Sequence, residues 1–352
     1  MSGAGQPNLA TRFRRLIRID GPMPVARFMG ESNSLYYASR DPMGASGDFV
    51  TAPEISQMFG EIIGLWLADV WQRAGAPGDA AYVELGPGRG TLTQDALRAM
   101  AQHGLEPEVY LVEGSPALRE AQARAVPQAR FPDDVASLPE HRPLMLVANE
   151  FLDALPIRQL VKTQSGWRER MVGLDGDSFV FVAGANPMDG AVPERFADCA
   201  DGTVIETCPG AAALVEDVAM RLANQGGAAL FIDYGRLEAR SGSTLQAVRA
   251  HKKVDALVMP GEADLTAHVD FEMLAAIAGQ SGLTVQIATQ GEWLGAMGIG
   301  LRAQALSRSQ PARRNEIAAA HDRLVSPEEM GELFKVMGLT GGGWPPGAGF
   351  GA

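Results

Sequence analysis

The sequence predicts an α/β fold: a doubly wound, mostly parallel sheet with an inserted antiparallel β segment and additional helices. Three observations predict it. Short apolar runs alternate with single helices from residue 81 to 151, and a glycine-rich turn closes the first run. Residues 156–184 then change to short alternating stretches split by Ser-Gly and Asp-Gly pairs. The boundaries implied are 1–75 for an N-terminal helical lid region, 76–155 and 205–290 for the core, 156–204 for the insert, and 291–352 for C-terminal helices and tail.

TRFRRLIRID (11–20) reads as a surface helix with Phe13, Leu16 and Ile17 inward, stopped by Asp20-Gly21-Pro22. Its arginines also permit a transit-peptide reading. Residues 54–74 space Ile55, Met58, Phe59, Ile62, Ile63, Leu65, Trp66, Leu67, Val70 and Trp71 around most of a helix, so that helix is buried. Strand 81–85, helix 91–104, strand 108–115, helix 116–126 and strand 143–151 follow, an order that requires right-handed crossovers and a parallel sheet. After the insert the pattern resumes with helix 210–227, strand 228–236, helix 271–282 and strand 283–290. Residues 242–254 are ambiguous, and one or two polar helices are expected in 311–339. The tail GGGWPPGAGFGA (341–352) cannot form a regular element and either frays or wraps the surface.

Lys plus Arg total 30 against 42 Asp plus Glu, and the net charge of −12 repels a phosphate backbone, so nucleic acid is not an expected partner. Cys199 and Cys208 cannot build a disulfide framework and, with five scattered histidines, offer no metal-ligand spacing. A reducing, cytoplasmic setting is expected. No apolar run approaches the roughly 20 residues of a membrane span.

Chemistry is expected at the carboxyl edge of the sheet, where open α/β sheets bind ligands. Val83-Glu84-Leu85-Gly86-Pro87-Gly88-Arg89-Gly90 joins a strand to a helix, and glycines there let a ligand approach backbone N–H groups at the helix start. A dinucleotide fingerprint has its third glycine one residue later, which disfavours a nicotinamide enzyme. The observed E-x-G-x-G-x-G suits S-adenosylmethionine, with Glu84 available to its amino group. Glu113, ending the next strand, suits the ribose hydroxyls, and Asp133 and Asp134 suit the adenine side. In ANEFLDALP (148–156), Asn149, Glu150 and Asp153 fall at the same edge, the last two as candidate catalytic carboxylates. His268 is a candidate proton acceptor, oriented by Asp270 or Glu262. Asp48, Thr51 and Glu54 are candidates to close over the cofactor, Thr51 also as a helix N-cap with Pro53 behind it. A plain structural role stands beside each of these: a tight turn for the glycines, a solvated loop for Asp133 and Asp134, a turn cap or arginine partner for Glu150, and a backbone-bonded histidine for His268.

Six blocks then resemble the MidA family of class I methyltransferases: GDFVTAPEISQMFGEIIGLWL (47–67), VELGPGRGTL (83–92), ANEFLDALPIRQ (148–159), FIDYG (231–235), GEADLTAHVDF (261–271) and EMGELFKVMGL (329–339). The resemblance implies a Rossmann-like core, S-adenosylmethionine as donor, and transfer to an arginine of a protein substrate with an exposed basic segment. Its mitochondrial members act in the assembly of respiratory complex I. Residues 29–47 depart from the family in lacking a His-Pro-rich stretch before GDF. Other classes stay open: a non-catalytic assembly factor that uses the cofactor as a structural ligand, or a methyltransferase acting on small molecules.

Overall fold

The computed structural model describes residues 8–39 and 51–351, and these fall into two compact units. One holds residues 51–153, 211–238 and 269–351; the other holds 8–39, 154–210 and 239–268. The boundaries drawn from sequence do not coincide with these units: 1–75 and 205–290 each contribute to both.

The larger unit opens with a short helix α1 (Ala52–Ile55) and the long helix α2 (Gln57–Arg73). One continuous helix was expected over 54–74. It breaks at Ser56, whose extended backbone ends α1 and whose hydroxyl accepts the Met58 N–H at 3.2 Å as the N-cap of α2. The first crossover is β1 (Ala81–Leu85), α3 (Thr91–Ala101), β2 (Glu108–Val112), α4 (Pro116–Ala125) and β3 (Leu144–Asn149). Then come α5 (Pro209–Gln225), β4 (Gly227–Arg236), β5 (Val269–Asp270), α6 (Phe271–Gln280) and β6 (Thr284–Thr289). Helices α7 (Gln290–Ala296), α8 (Ile299–Ser309), α9 (Arg314–Val325) and α10 (Met330–Leu333) precede β7 (Phe334–Gly341).

The sheet runs β6-β7-β4-β3-β1-β2, with β5 against the end of β4. Strands β1 to β4 pair in parallel, and β7 alone in the sheet runs against its neighbours, antiparallel to both β4 and β6. Beyond β2 the chain makes one isolated bridge, Tyr110 to Arg130. β7 corrects the sequence reading of 311–339. Helix α9 is there, but Phe334–Gly341 is a strand with all eight residues buried. An apolar run of that length carries no period that separates strand from helix, and only its two flanking partners decide.

Helix α2 packs on α3 through Gly60 and Gly64. A Cβ at Gly64 would stand 2.3 Å from the Ala96 carbonyl oxygen, so the helices meet backbone to backbone. Glu61 on the same helix takes a two-pronged contact from Arg302 (2.7 and 2.9 Å) and a third from Arg98 (3.1 Å), which fastens α2 to α8 and α3. Burial alone would raise this carboxyl; the two arginines outweigh it and hold it below its ordinary range. The tail wraps: Trp66 Nε1 donates to the Ala348 carbonyl at 3.0 Å and Phe350 packs on Trp293.

In the smaller unit, strands Arg158–Thr163, Gly166–Asp175, Ser178–Pro187 and Val204–Thr207 form an antiparallel sheet with Met23–Pro24, as the insert's turn chemistry predicts. The ambiguous 242–254 stretch supplies two strands, Gln246–Arg249 and Lys252–Val254, of a three-stranded sheet completed by Asp264–Thr266. Helix Leu9–Asp20 buries Leu9, Phe13 and Ile17, and Phe13 meets Phe28 and Phe179 in one aromatic cluster. Leu16, expected inward, is only partly buried. Two of the helix's arginines are held by the insert: Arg14 lies over the Phe179 ring and Arg18 pairs with Asp177. Among the described residues no helix is long and apolar enough to cross a membrane.

Candidate cofactor and acceptor site

Strand β1 ends under the glycine turn with its carboxylate inside the protein. Tyr82 and Glu84 share a face, and the Glu84 carboxylate accepts the Tyr82 hydroxyl at 2.7 Å and the Thr93 hydroxyl from the first turn of α3. Burial pushes this carboxyl up to about 7, and the two hydroxyl donors oppose that only in part. Gly86, Gly88 and Gly90 follow with φ of 63°, 55° and 83°, a left-handed region that costs side-chain-bearing residues roughly 1–2 kcal/mol each. Gly90 is the N-cap of α3, so the loop delivers free N–H groups at a helix start.

Glu113 stands just past β2, mostly buried. Its carboxylate accepts the Ser115 N–H at 2.8 Å and the Gln122 amide at 3.2 Å. Burial raises its carboxyl above the ordinary range, and these donors and Arg119 pull the other way. Asp133 is exposed and meets Arg119 at 3.1 Å; Asp134 receives the backbone N–H and the hydroxyl of Ser137 and is lowered by them. The two expected adenine-side acids are thus differently placed: Asp133 pairs with the arginine that also bonds the Glu113 carbonyl at 2.6 Å, and Asp134 closes a turn of its own.

The end of β3 lies on the glycine loop. The Phe151 ring packs on Gly86 so closely that a Cβ there would meet it at 2.6 Å. One residue earlier Glu150 has φ of 50°, a strained value for a side-chain-bearing residue. Its Oε1 accepts the Ala52 N–H at 3.0 Å and the Asn149 amide at 3.2 Å. Thr51, buried and N-cap in position though without a side-chain cap bond, therefore sits beside the peptide that contacts Glu150. Glu54 reaches the other flank, accepting the Thr91 hydroxyl at 2.7 Å. Asp48 lies outside the described residues.

Holding this turn is a residue the sequence reading passed over. Asp233, fully buried in β4, accepts three successive backbone N–H groups with one oxygen: Phe151 (3.1 Å), Leu152 (2.8 Å) and Asp153 (3.2 Å). Its other oxygen takes the Tyr234 N–H at 2.8 Å. Burial first, and then the charge of Glu150, raise the Asp233 carboxyl, while its N–H donors favour the anion. Its signal was an acid ending the apolar run AALFID one strand from Glu150. Asp153 is buried and its N–H belongs to this cradle.

His268 closes a segment of the smaller unit, its N–H donating to the Thr244 hydroxyl at 2.9 Å. Of the two acids expected to orient it, Asp270 caps α6 and pairs with Arg236, and Glu262 pairs with Arg249.

The donor set fits a cofactor that carries both an ammonium and hydroxyl groups. Two buried acceptors at this edge, Gln122 Oε1 beside the loop and Asn149 Oδ1 at the end of β3, find no donor among the described residues. With the glycine loop and Glu113 they ask for a ligand that brings its own hydrogen-bond donors.

Comparison with known proteins agrees. A family described as "Putative S-adenosyl-L-methionine-dependent methyltransferase" matches residues 62–289. The protein arginine methyltransferase NDUFAF7, mitochondrial, of Xenopus tropicalis is 36% identical over 92% of this chain and 84% of its own length. Its human counterpart is 34% identical over 92% and 81%. A crystal structure of a COG1565 superfamily member from Burkholderia thailandensis bound to S-adenosyl-homocysteine superposes with a TM-score of 0.81 at 31% identity, covering 94% of this chain and 91% of that one.

Proposed function

The chain belongs to the MidA family of S-adenosylmethionine-dependent methyltransferases, and from that premise we propose that its acceptor is an arginine side chain of a protein, of the respiratory complex I subunit type. The observation that carries the reading is Glu150: a carboxylate on a left-handed residue, seated where β3 meets the glycine loop and backed by buried Asp233.

When bound, S-adenosylmethionine supplies a methyl group on a positively charged sulfur that leaves as a neutral thioether. In this reading Gly86, Gly88 and Gly90 admit its amino-acid end, Glu84 shapes the floor beneath them, and Glu113 takes the ribose hydroxyls, with Asp133, Asp134, Asn149 and Thr51 around the rim. A guanidinium arrives protonated, its lone pairs delocalised over the planar fork, and is a poor nucleophile. Glu150 and Asp153 act by holding that fork and localising its charge away from the attacking nitrogen. Charge-assisted hydrogen bonds of this kind contribute about 1.5–3 kcal/mol each. Alignment of nitrogen and methyl carbon contributes more, roughly 7–11 kcal/mol of the barrier. The proton that the nitrogen loses on methylation would pass to a carboxylate at this edge, Glu150 or Asp153. A chain with net charge −12 attracts a basic substrate segment. Both cysteines are free thiols, which suits the cytoplasmic setting proposed for the reaction.

The test is to incubate the protein with methyl-labelled cofactor and extract from a strain lacking it, then hydrolyse and separate the amino acids. Label in methylarginine supports the reading. Label in another residue or in a small molecule overturns the acceptor, and absence of label at saturating cofactor favours a non-catalytic assembly factor.

A further inference from the structure

Gln122 lies on the inner face of α4, fully buried, between Leu118 and Val126. A leucine would be the inexpensive residue there, since burying an amide costs free energy unless its hydrogen bonds are replaced. Only half of it is replaced among the described residues. Nε2 uses both hydrogens, one on the Gly88 carbonyl at 2.7 Å and one on Glu113 Oε2 at 3.2 Å, while Oε1 is buried without a donor. One amide thus bridges the centre of the glycine loop and the acid at the end of the neighbouring strand, two groups that are 25 residues apart in sequence. Ser115 caps α4, and a Cβ on Gly90 would lie 3.5 Å from Ala125 Cβ.

We propose that Gln122 is a positioning residue of the cofactor site, fixing the Gly88 peptide and the Glu113 carboxylate relative to each other so that loop and acid engage the cofactor as one unit. This rests on the assignment of the glycine turn to the cofactor. The role belongs to binding and not to methyl transfer: the amide touches the two binding groups and neither Glu150 nor Asp153. It also donates to the charged form of Glu113. Arg119 faces Glu113 from the same helix and pairs with Asp133, and both remain when Gln122 is changed.

The experiment is calorimetric titration of the full chain with S-adenosylmethionine and with S-adenosylhomocysteine across pH 5.5–8.5, for wild type, Gln122→Met and Gln122→Glu, with circular dichroism and thermal midpoints as the check on folding. Gln122→Met keeps the volume and loses the donor, so Kd for both ligands rises about tenfold while kcat at saturating cofactor stays within about threefold. The pH below which affinity falls also moves upward, because Glu113 loses a donor that favours its anion. At pH 8 Gln122→Glu, which sets a second carboxylate against Glu113, binds more weakly than Gln122→Met. A folded Gln122→Met with wild-type Kd and an unmoved pH profile overturns the proposal, as does Gln122→Glu binding as well as Gln122→Met at pH 8. Gly88→Val separates this from failure of the underlying assignment: if that variant also binds normally, the glycine turn is not the cofactor site.

Discussion

The ends of β1 and β3 lie against each other and reach left-handed backbone by opposite routes. At β1 three glycines adopt φ of 55–83° with no Cβ to object. At β3 the left-handed residue is Glu150, and a buried carboxylate two strand ends' worth of sequence away, Asp233, gathers the next three N–H groups to hold it. A glycine at 150 would remove the strain but also the carboxylate. Retaining glutamate at a conformational cost of roughly 1–3 kcal/mol marks that side chain as the purpose of the turn. The loop after β1 serves by exposing its backbone, and the turn after β3 serves by aiming a side chain.

Substitutions that exchange these solutions break the comparison most sharply. Gly88→Val places a β-branched side chain at φ 55° in the space a ligand needs, and cofactor affinity measured by calorimetry is expected to fall more than 100-fold in a folded protein. Asp233→Ala leaves four N–H groups in the interior without their acceptor. Urea titration should show a loss of about 3–5 kcal/mol, and Asp233→Asn, which keeps one carbonyl oxygen, a smaller one.

The third prediction concerns Glu84. Its carboxyl is raised to about 7 in the folded protein from 4.5, so the folded state holds more protons than the unfolded one between those values. This contribution to stability is fully present below about pH 4.5 and is lost as pH rises through 7. Denaturant unfolding at pH 5 to 8 should show the loss in wild type, on the order of 1–3 kcal/mol, and a flatter profile for Glu84→Gln. The smallest effect belongs to Ser56→Ala, which removes the N-cap of α2 and should cost about 1 kcal/mol in the same assay with the cofactor site untouched.

The same contrast governs what could be read from the sequence. The glycine turn, β1, the first crossover and the insert's hairpins are local: each is announced by residues adjacent in the chain. β7 is not. FKVMGLTG becomes a strand because β4 and β6 flank it, and nothing within those eight residues distinguishes that outcome from a buried helix. Asp233 and Gln122 escaped for a related reason. Each is one polar residue on an otherwise apolar face, and its partners lie about 80 residues away for Asp233 and at both 9 and 34 residues for Gln122. The break at Ser56 was hidden by an apolar spacing that continues through it, although Ser before Gln-Met is an ordinary cap signal.

The division of labour between the two strand ends is tested most directly by Glu150→Gln, with cofactor affinity and methyl transfer measured on the same preparation. Glutamine keeps the oxygen that accepts the Ala52 N–H and removes the charge. Calorimetry should return the wild-type Kd within about twofold, while labelled-methyl transfer to the protein acceptor falls at least about tenfold, a loss of roughly 1.4 kcal/mol of transition-state stabilisation. Transfer at the wild-type rate would contradict the account, and so would a loss confined to cofactor affinity.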